Sequence, residues 1–127
     1  MMKQPFGTVY LVGAGPGAPD LITVRGMECL SKADVIIYDY LVNPVLLDRV
    51  NKLAQLISLG DSELGRRLSQ EDVQGQMIEF AREGKTVVRL KGGDPFIFGR
   101  GGEESEALIK AGIPFEIVPG ITAGSGA

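Results

Sequence analysis

The chain has 127 residues, 44% apolar and 23% charged, with a net charge of −3. That length suits one domain with a sizeable buried core, and the mixture excludes a disordered chain. An acidic balance excludes a general binder of nucleic acid or of anionic membrane, leaving only a local basic patch open.

Thr8 to Val12 is a short β-branched and apolar run and predicts the first strand. Thr23 to Ser31 carries Val24, Met27 and Leu30 at helical spacing and predicts a helix with those residues inward. Ala33 to Tyr38 is a second buried strand. Pro44 suits the first position of a short helix through Leu46, Leu47 and Val50. Ala54 to Leu59 is a third strand. Asp61 to Leu68 is the most polar connection, expected to be the most mobile. Ser69 has a carboxylate, Asp72, three residues on, a spacing like that of a capping box. It opens a helix with Val73, Met77, Ile78 and Ala81 on one face, closed by Gly84. Lys85 to Leu90 is a fourth strand. Glu103 to Ala111 is a helix stopped by Gly112, with Pro114 beyond. Phe115 to Val118 is a fifth strand.

Strands separated by helices predict an α/β domain: an open, mostly parallel five-stranded sheet with helices on both faces. The chain stops at Ala127 just after Pro119 to Gly126, which reads as the entry to a further helix, so a truncated chain is expected. No apolar stretch approaches the length of a membrane span, and Met1 to Phe6 holds no apolar leader core. One cysteine, Cys29, excludes an intrachain disulfide and suits the reducing cytoplasm; packing within the helix is its expected role.

There is no histidine. That excludes an imidazole base, a Ser-His-Asp triad and a His-ligated metal. A thiolate zinc site fails on the single cysteine, so no metal site is expected. With no Trp, an aromatic platform for single strands is also excluded. Acid–base chemistry falls to carboxylates, Lys, Tyr or the substrate.

Glycine is in excess, at 18 residues, and 11 of these form three clusters. They are Gly13, Gly15 and Gly17; Gly92, Gly93, Gly99, Gly101 and Gly102; and Gly120, Gly124 and Gly126. Each follows a predicted strand, the first, fourth and fifth. In an open parallel sheet ligands bind beyond the carboxyl ends of the strands. Glycine there lets the backbone approach a ligand, although strand-to-helix turns also use glycine for their own geometry. The segment Gly13-Ala14-Gly15-Pro16-Gly17-Ala18 fits the degenerate dinucleotide pattern. Pro16 weighs against a pyrophosphate there, because it has no backbone N–H to offer.

Lys91 and Arg100 flank the second cluster and are candidates for binding anionic groups; solvated charge is the plainer alternative. Phe96, Ile97 and Phe98 either pack inward or line a ligand pocket. Asp39 closes the second strand, where a cleft carboxylate would act as a general base and where a dinucleotide binder keeps its ribose-binding acid. Capping or solvation is its alternative role. Three readings stay open on the residues: an enzyme domain, a nicotinamide-dinucleotide domain resting on Gly13, Gly15, Ala18 and Asp39, and a non-catalytic dimerisation or binding module.

Five segments together resemble the tetrapyrrole methylase family. They are Val9 to Gly17, "DLITVRG" from Asp20, "ADVIIYD" from Ala33, "VVRLKGGDPFIFGRGGEE" from Val87, and "GIPFEIVPGITA" from Gly112. The long string after Val87 is the most specific. The resemblance implies C-methylation of uroporphyrinogen III to precorrin-2 on the route to sirohaem and cobalamin. The methyl donor would be S-adenosylmethionine, leaving as S-adenosylhomocysteine, in a cleft between two α/β domains. This chain would be the N-terminal one, inactive alone, in a homodimer. By position, the implied donor contacts are Pro16, Gly92, Gly93, Asp94, Ile97, Thr122 and Ala123, and Asp39 matches the family's proton acceptor.

Two positions depart from the family's pattern. Asp61 stands where a lysine often follows the third-strand glycine, and Tyr40 where an arginine often follows the aspartate. Both changes remove positive charge near a polycarboxylate substrate, for which Arg66, Arg67, Arg100 and Lys91 are candidate compensating cations; the alternatives are a different substrate or impaired activity.

Overall fold

The computed structural model describes residues 6–13, 23–38, 47–48, 50, 52–58, 60–61, 66–67, 70–91 and 101–118. In chain order the elements are β1 (Val9–Gly13), α1 (Val24–Lys32), β2 (Val35–Tyr38), β3 (Gln55–Ser58), β4 (Gly60–Asp61), β5 (Arg66–Arg67), α2 (Gln70–Arg82), β6 (Val87–Lys91), α3 (Gly101–Ala111) and β7 (Phe115–Val118). Five strands form one sheet in the order β3-β2-β6-β1-β7, and every pairing in it is parallel. The expected α/β architecture is therefore present, with the first strand placed between the two last.

Alternation along each strand divides the core in two. Val12, Ile36, Val88, Leu90 and Val118 point to one face, where Cys29 and Leu30 of α1 cover them. Val9, Leu11, Val35, Ile37 and Val87 point to the other, where Val73, Met77 and Ala81 of α2 and Leu108 of α3 cover them. The middle of the sheet is covered on both faces, so β1 and β2 read as nearly continuous apolar runs, while the edge strand β3 is largely exposed.

The helix ends are built from local chemistry. Thr23, in extended geometry, caps α1 by accepting from the Gly26 N–H at 3.1 Å. After α2, Gly84 takes φ +86°. The Lys85 N–H then bonds the Phe80 carbonyl at 3.1 Å and the Gly84 N–H bonds Ala81 at 3.0 Å. Gly112, at φ +74°, closes α3 in the same way, with Ile113 bonded to Leu108 and Gly112 to Ile109. Both are left-handed turns that glycine reaches without strain.

One expectation needs correction, and one short ladder was not foreseen. The buried face of α1 is Gly26, Cys29 and Leu30, while Val24 is 78% exposed. Val24 lies on the side of the helix away from Gly26, so it faces out although it opens the element. Within the polar connection after β3, Gly60–Asp61 pairs antiparallel with Arg66–Arg67, a ladder too short to leave an alternating pattern in sequence. The short helix expected after Pro44 lies largely outside the described residues.

Candidate functional site at the carboxyl edge of the sheet

Because the sheet is parallel throughout, all its strands end at one edge. Gly13 is the register partner of Lys91, Val12 of Val118, and Tyr38 of Leu90. The chain thus leaves β6, β1 and β7, three neighbouring strands, from the same edge and in each case toward one of the glycine clusters. From β1 it continues to α1 on one face, and from β6 to α3 on the other. Neighbouring strands whose connections diverge in this way make the switch point at which open α/β sheets bind ligands. β1 ends there in a buried glycine, so its terminus carries no side chain over either face of the sheet.

Nine of the expected site residues, Pro16, Asp39, Gly92, Gly93, Asp94, Ile97, Arg100, Thr122 and Ala123, lie outside the described residues. Asp39 directly follows β2 in the sequence, Gly92 directly follows β6, and both strands end at this edge. Arg66 and Arg67 form the second strand of the short ladder, opposite Asp61 and Gly60.

Lys91 is described, and it is not a solvated charge. It and Arg89 alternate with Leu90 along β6 and are only 7% and 8% exposed. Both meet Glu104 in the first turn of α3, itself 3% exposed. Lys91 Nζ forms an ion pair with Glu104 Oε1, and Arg89 Nε lies 3.2 Å from Oε2. Arg89 Nη1 also donates to the Leu90 carbonyl at 3.2 Å. The two charge contacts are close but not aligned as hydrogen bonds, and both Glu104 oxygens keep accepting capacity. Among the described residues the cluster carries two cations against one carboxylate.

Glu104 was not singled out from the sequence, although a signal existed. Two cations spaced i, i+2 in an otherwise apolar strand share one face. If that face is covered by a helix, the helix must bring a counter-charge. The acidic residues opening the next helix were the nearest source.

Such an arrangement defines an open parallel α/β domain with a switch point at its carboxyl edge, the place where sheets of this kind bind ligands. Residues 8–127 match the family of Tetrapyrrole (Corrin/Porphyrin) Methylases, and the chain belongs to that family. It is 57% identical over 118 residues to a uroporphyrinogen-III C-methyltransferase of Priestia megaterium, covering 93% of this chain and 50% of the relative. It is 55% identical over 120 residues to a siroheme synthase of Hahella chejuensis, covering 94% of this chain and 26% of the relative. Among solved structures, uroporphyrin-III C-methyltransferase from Thermus thermophilus superposes with a TM-score of 0.81 at 46% identity, over 92% of this chain and 49% of that one. A second structure of that protein, complexed with S-adenyl homocysteine, gives a TM-score of 0.77 at 43% identity, again over 92% of this chain and 49% of that one. The chain therefore spans a quarter to a half of these relatives.

Proposed function

We propose that this chain is the N-terminal α/β domain of an S-adenosylmethionine-dependent methyltransferase that converts uroporphyrinogen III to precorrin-2. The observation that carries the reading is the common edge of β6, β1 and β7, from which all three glycine clusters depart. The family match and the relative holding S-adenyl homocysteine support it.

The described part of the edge suits such a donor. The side-chain-free end of β1 lets a compact nucleoside lie against main chain, and Pro16 in the following segment suits a ligand without phosphates. Pro16, Gly92, Gly93, Asp94, Ile97, Thr122 and Ala123 hold the donor, with further contacts from a second domain. Bound S-adenosylmethionine supplies a methyl group already activated by its sulfonium, so the protein's work is alignment, worth about 7–11 kcal/mol of barrier when well achieved. A nucleophilic ring carbon takes the methyl, and Asp39 accepts the proton that the ring then loses. Arg66, Arg67 and Arg100 face the substrate carboxylates, and Lys91 adds positive potential from beneath, bound to Glu104. The resemblance to the family carries the reading of a cytoplasmic homodimer. Separately, no helix among the described residues is long and apolar enough to cross a membrane.

Methyl transfer by the full-length protein, followed with labelled donor, tests the reading. Asp39→Ala should lose most of the transfer while calorimetry finds S-adenosylhomocysteine affinity nearly unchanged. Residues 1–127 alone should bind the donor weakly and show no turnover. Failure of the full-length protein to methylate any tetrapyrrole would favour a non-catalytic module, and appreciable NADH binding a dinucleotide domain.

A further inference from the structure

We infer that Glu104 is a positioning residue of this site, a buried clasp that fixes the end of β6 to the start of α3. The inference about ligand rests on the methyl-donor reading; the clasp itself does not. The segment between the two elements, residues 92–100, departs from Lys91 and returns at Gly101. Four of the expected donor contacts, Gly92, Gly93, Asp94 and Ile97, fall within it.

The geometry of the clasp is specific. Lys91 is the last residue of β6, and its ammonium is paired with Glu104. Arg89, two residues earlier, reaches the other carboxylate oxygen at 3.2 Å. One side chain thus holds two successive inward positions of the strand. It does so from the first turn of α3, where the helix dipole also favours a carboxylate. All three groups are at least nine-tenths buried, so solvent does not screen the attraction as it does for surface pairs. A pair drawing only on the surface would give little positional order. Here, removing the carboxylate leaves two cations in an apolar layer, a costly state that the chain relieves by moving one of them. Lys91 is the residue from which segment 92–100 begins and the register partner of Gly13, so a Lys91 ammonium that swings away in search of a counter-charge loosens the strand end at that point. The oxygens of Glu104 retain accepting capacity beyond the two cations, enough to take further N–H donors beside the point of departure.

Two variants of the full-length protein separate positioning from plain stability. Glu104→Gln keeps the shape and removes the charge. Glu104→Gln combined with Lys91→Met restores the original charge balance of the cluster, one cation in excess. The single variant should bind S-adenosylhomocysteine about tenfold or more weakly, the scale expected for a lost charged contact. The double variant should recover the thermal midpoint but not the affinity. Hydrogen exchange in peptides covering 92–100 should quicken in both variants, while β1 and β2 peptides stay protected in the double. Affinity that returns together with the midpoint, or exchange in 92–100 that stays as in the wild type, overturns the clasp. If the wild type binds no S-adenosylhomocysteine, the methyl-donor reading fails and the exchange measurement alone decides the clasp.

Discussion

Arg25 on α1 and Glu116 on β7 grip each other with two contacts: Nε donates to Oε2 at 2.8 Å and Nη2 to Oε1 at 3.0 Å. The guanidinium also lies 5.5 Å from the Tyr10 ring centroid, and Lys32 Nζ donates to the Tyr10 hydroxyl at 3.1 Å. This small polar assembly closes the α1 side of the sheet over β1 and β7. Hydrogen bonding from Arg25 holds the Glu116 carboxyl below its usual range. A carboxylate depressed in the folded state stabilises fully above its unfolded pKa, about 4.3, and the benefit fades as pH falls through the lower folded value. Both side chains are more than two-fifths exposed, so screening keeps the effect small. Glu116→Gln should lower the thermal midpoint slightly near neutral pH and low salt. The gap from wild type should close in acid and narrow in high salt.

Cys29 is fully buried. Burial pushes its thiol pKa up, against the opposing pull of the Arg25 and Lys32 charges. A neutral, covered thiol is a poor nucleophile. Ellman's reagent should therefore react slowly with native protein and release one equivalent per chain only in denaturant. Prompt native reaction would mean that α1 is not seated on the sheet.

Met77 of α2 is fully buried, whereas Ile109 of α3 is 66% exposed. Met77→Ala should cost about 2–5 kcal/mol by urea unfolding. Ile109→Ala should stay within about 0.5 kcal/mol of wild type. Equal costs would contradict the assignment of the two helix faces.

Gly75 and Gly7 should respond in opposite directions. A Cβ at Gly75, in the middle of α2, meets nothing within 4 Å. Gly75→Ala should stabilise by about 0.5–1 kcal/mol, the helix-interior difference between the two residues. A Cβ at Gly7 would collide with the Lys85 carbonyl, and the Gly7 N–H already donates to the Ala81 carbonyl at 2.7 Å. Gly7→Ala should destabilise and shift the urea midpoint the other way.

The central strands were legible because burial on both faces spells an apolar run, as in Val35 to Tyr38; the edge strand β3 is largely exposed and keeps only Leu56 and Ile57 of such a run. Helix ends were legible where a glycine stop marks them, as at Gly84 and Gly112, whereas the cap at Thr23 was read as part of the helix. Strand order was not: β1 lies beside β6 and β7 through crossovers that leave no local pattern. The inward face of α1 was misread because Gly26 and Cys29 weigh little in an apolar pattern, while Val24 weighs heavily and faces out. At the site, the glycine clusters announced a close backbone approach, and their common edge follows from parallel pairing. Glu104 stayed hidden because its role needs two cations from another element, a relation that appears only when strand and helix are packed.

The position of β1 also bears on how the chain is born. β1 is made before either of its neighbours, which begin at Val87 and Phe115, far later in the chain. Its two rows of amide groups stay without their native mates until nearly everything described has been translated. Contacts of such long separation fold slowly, so β1 stays a naked, sticky ribbon while the residues up to β7 are made, and this is where chaperones would find their grip.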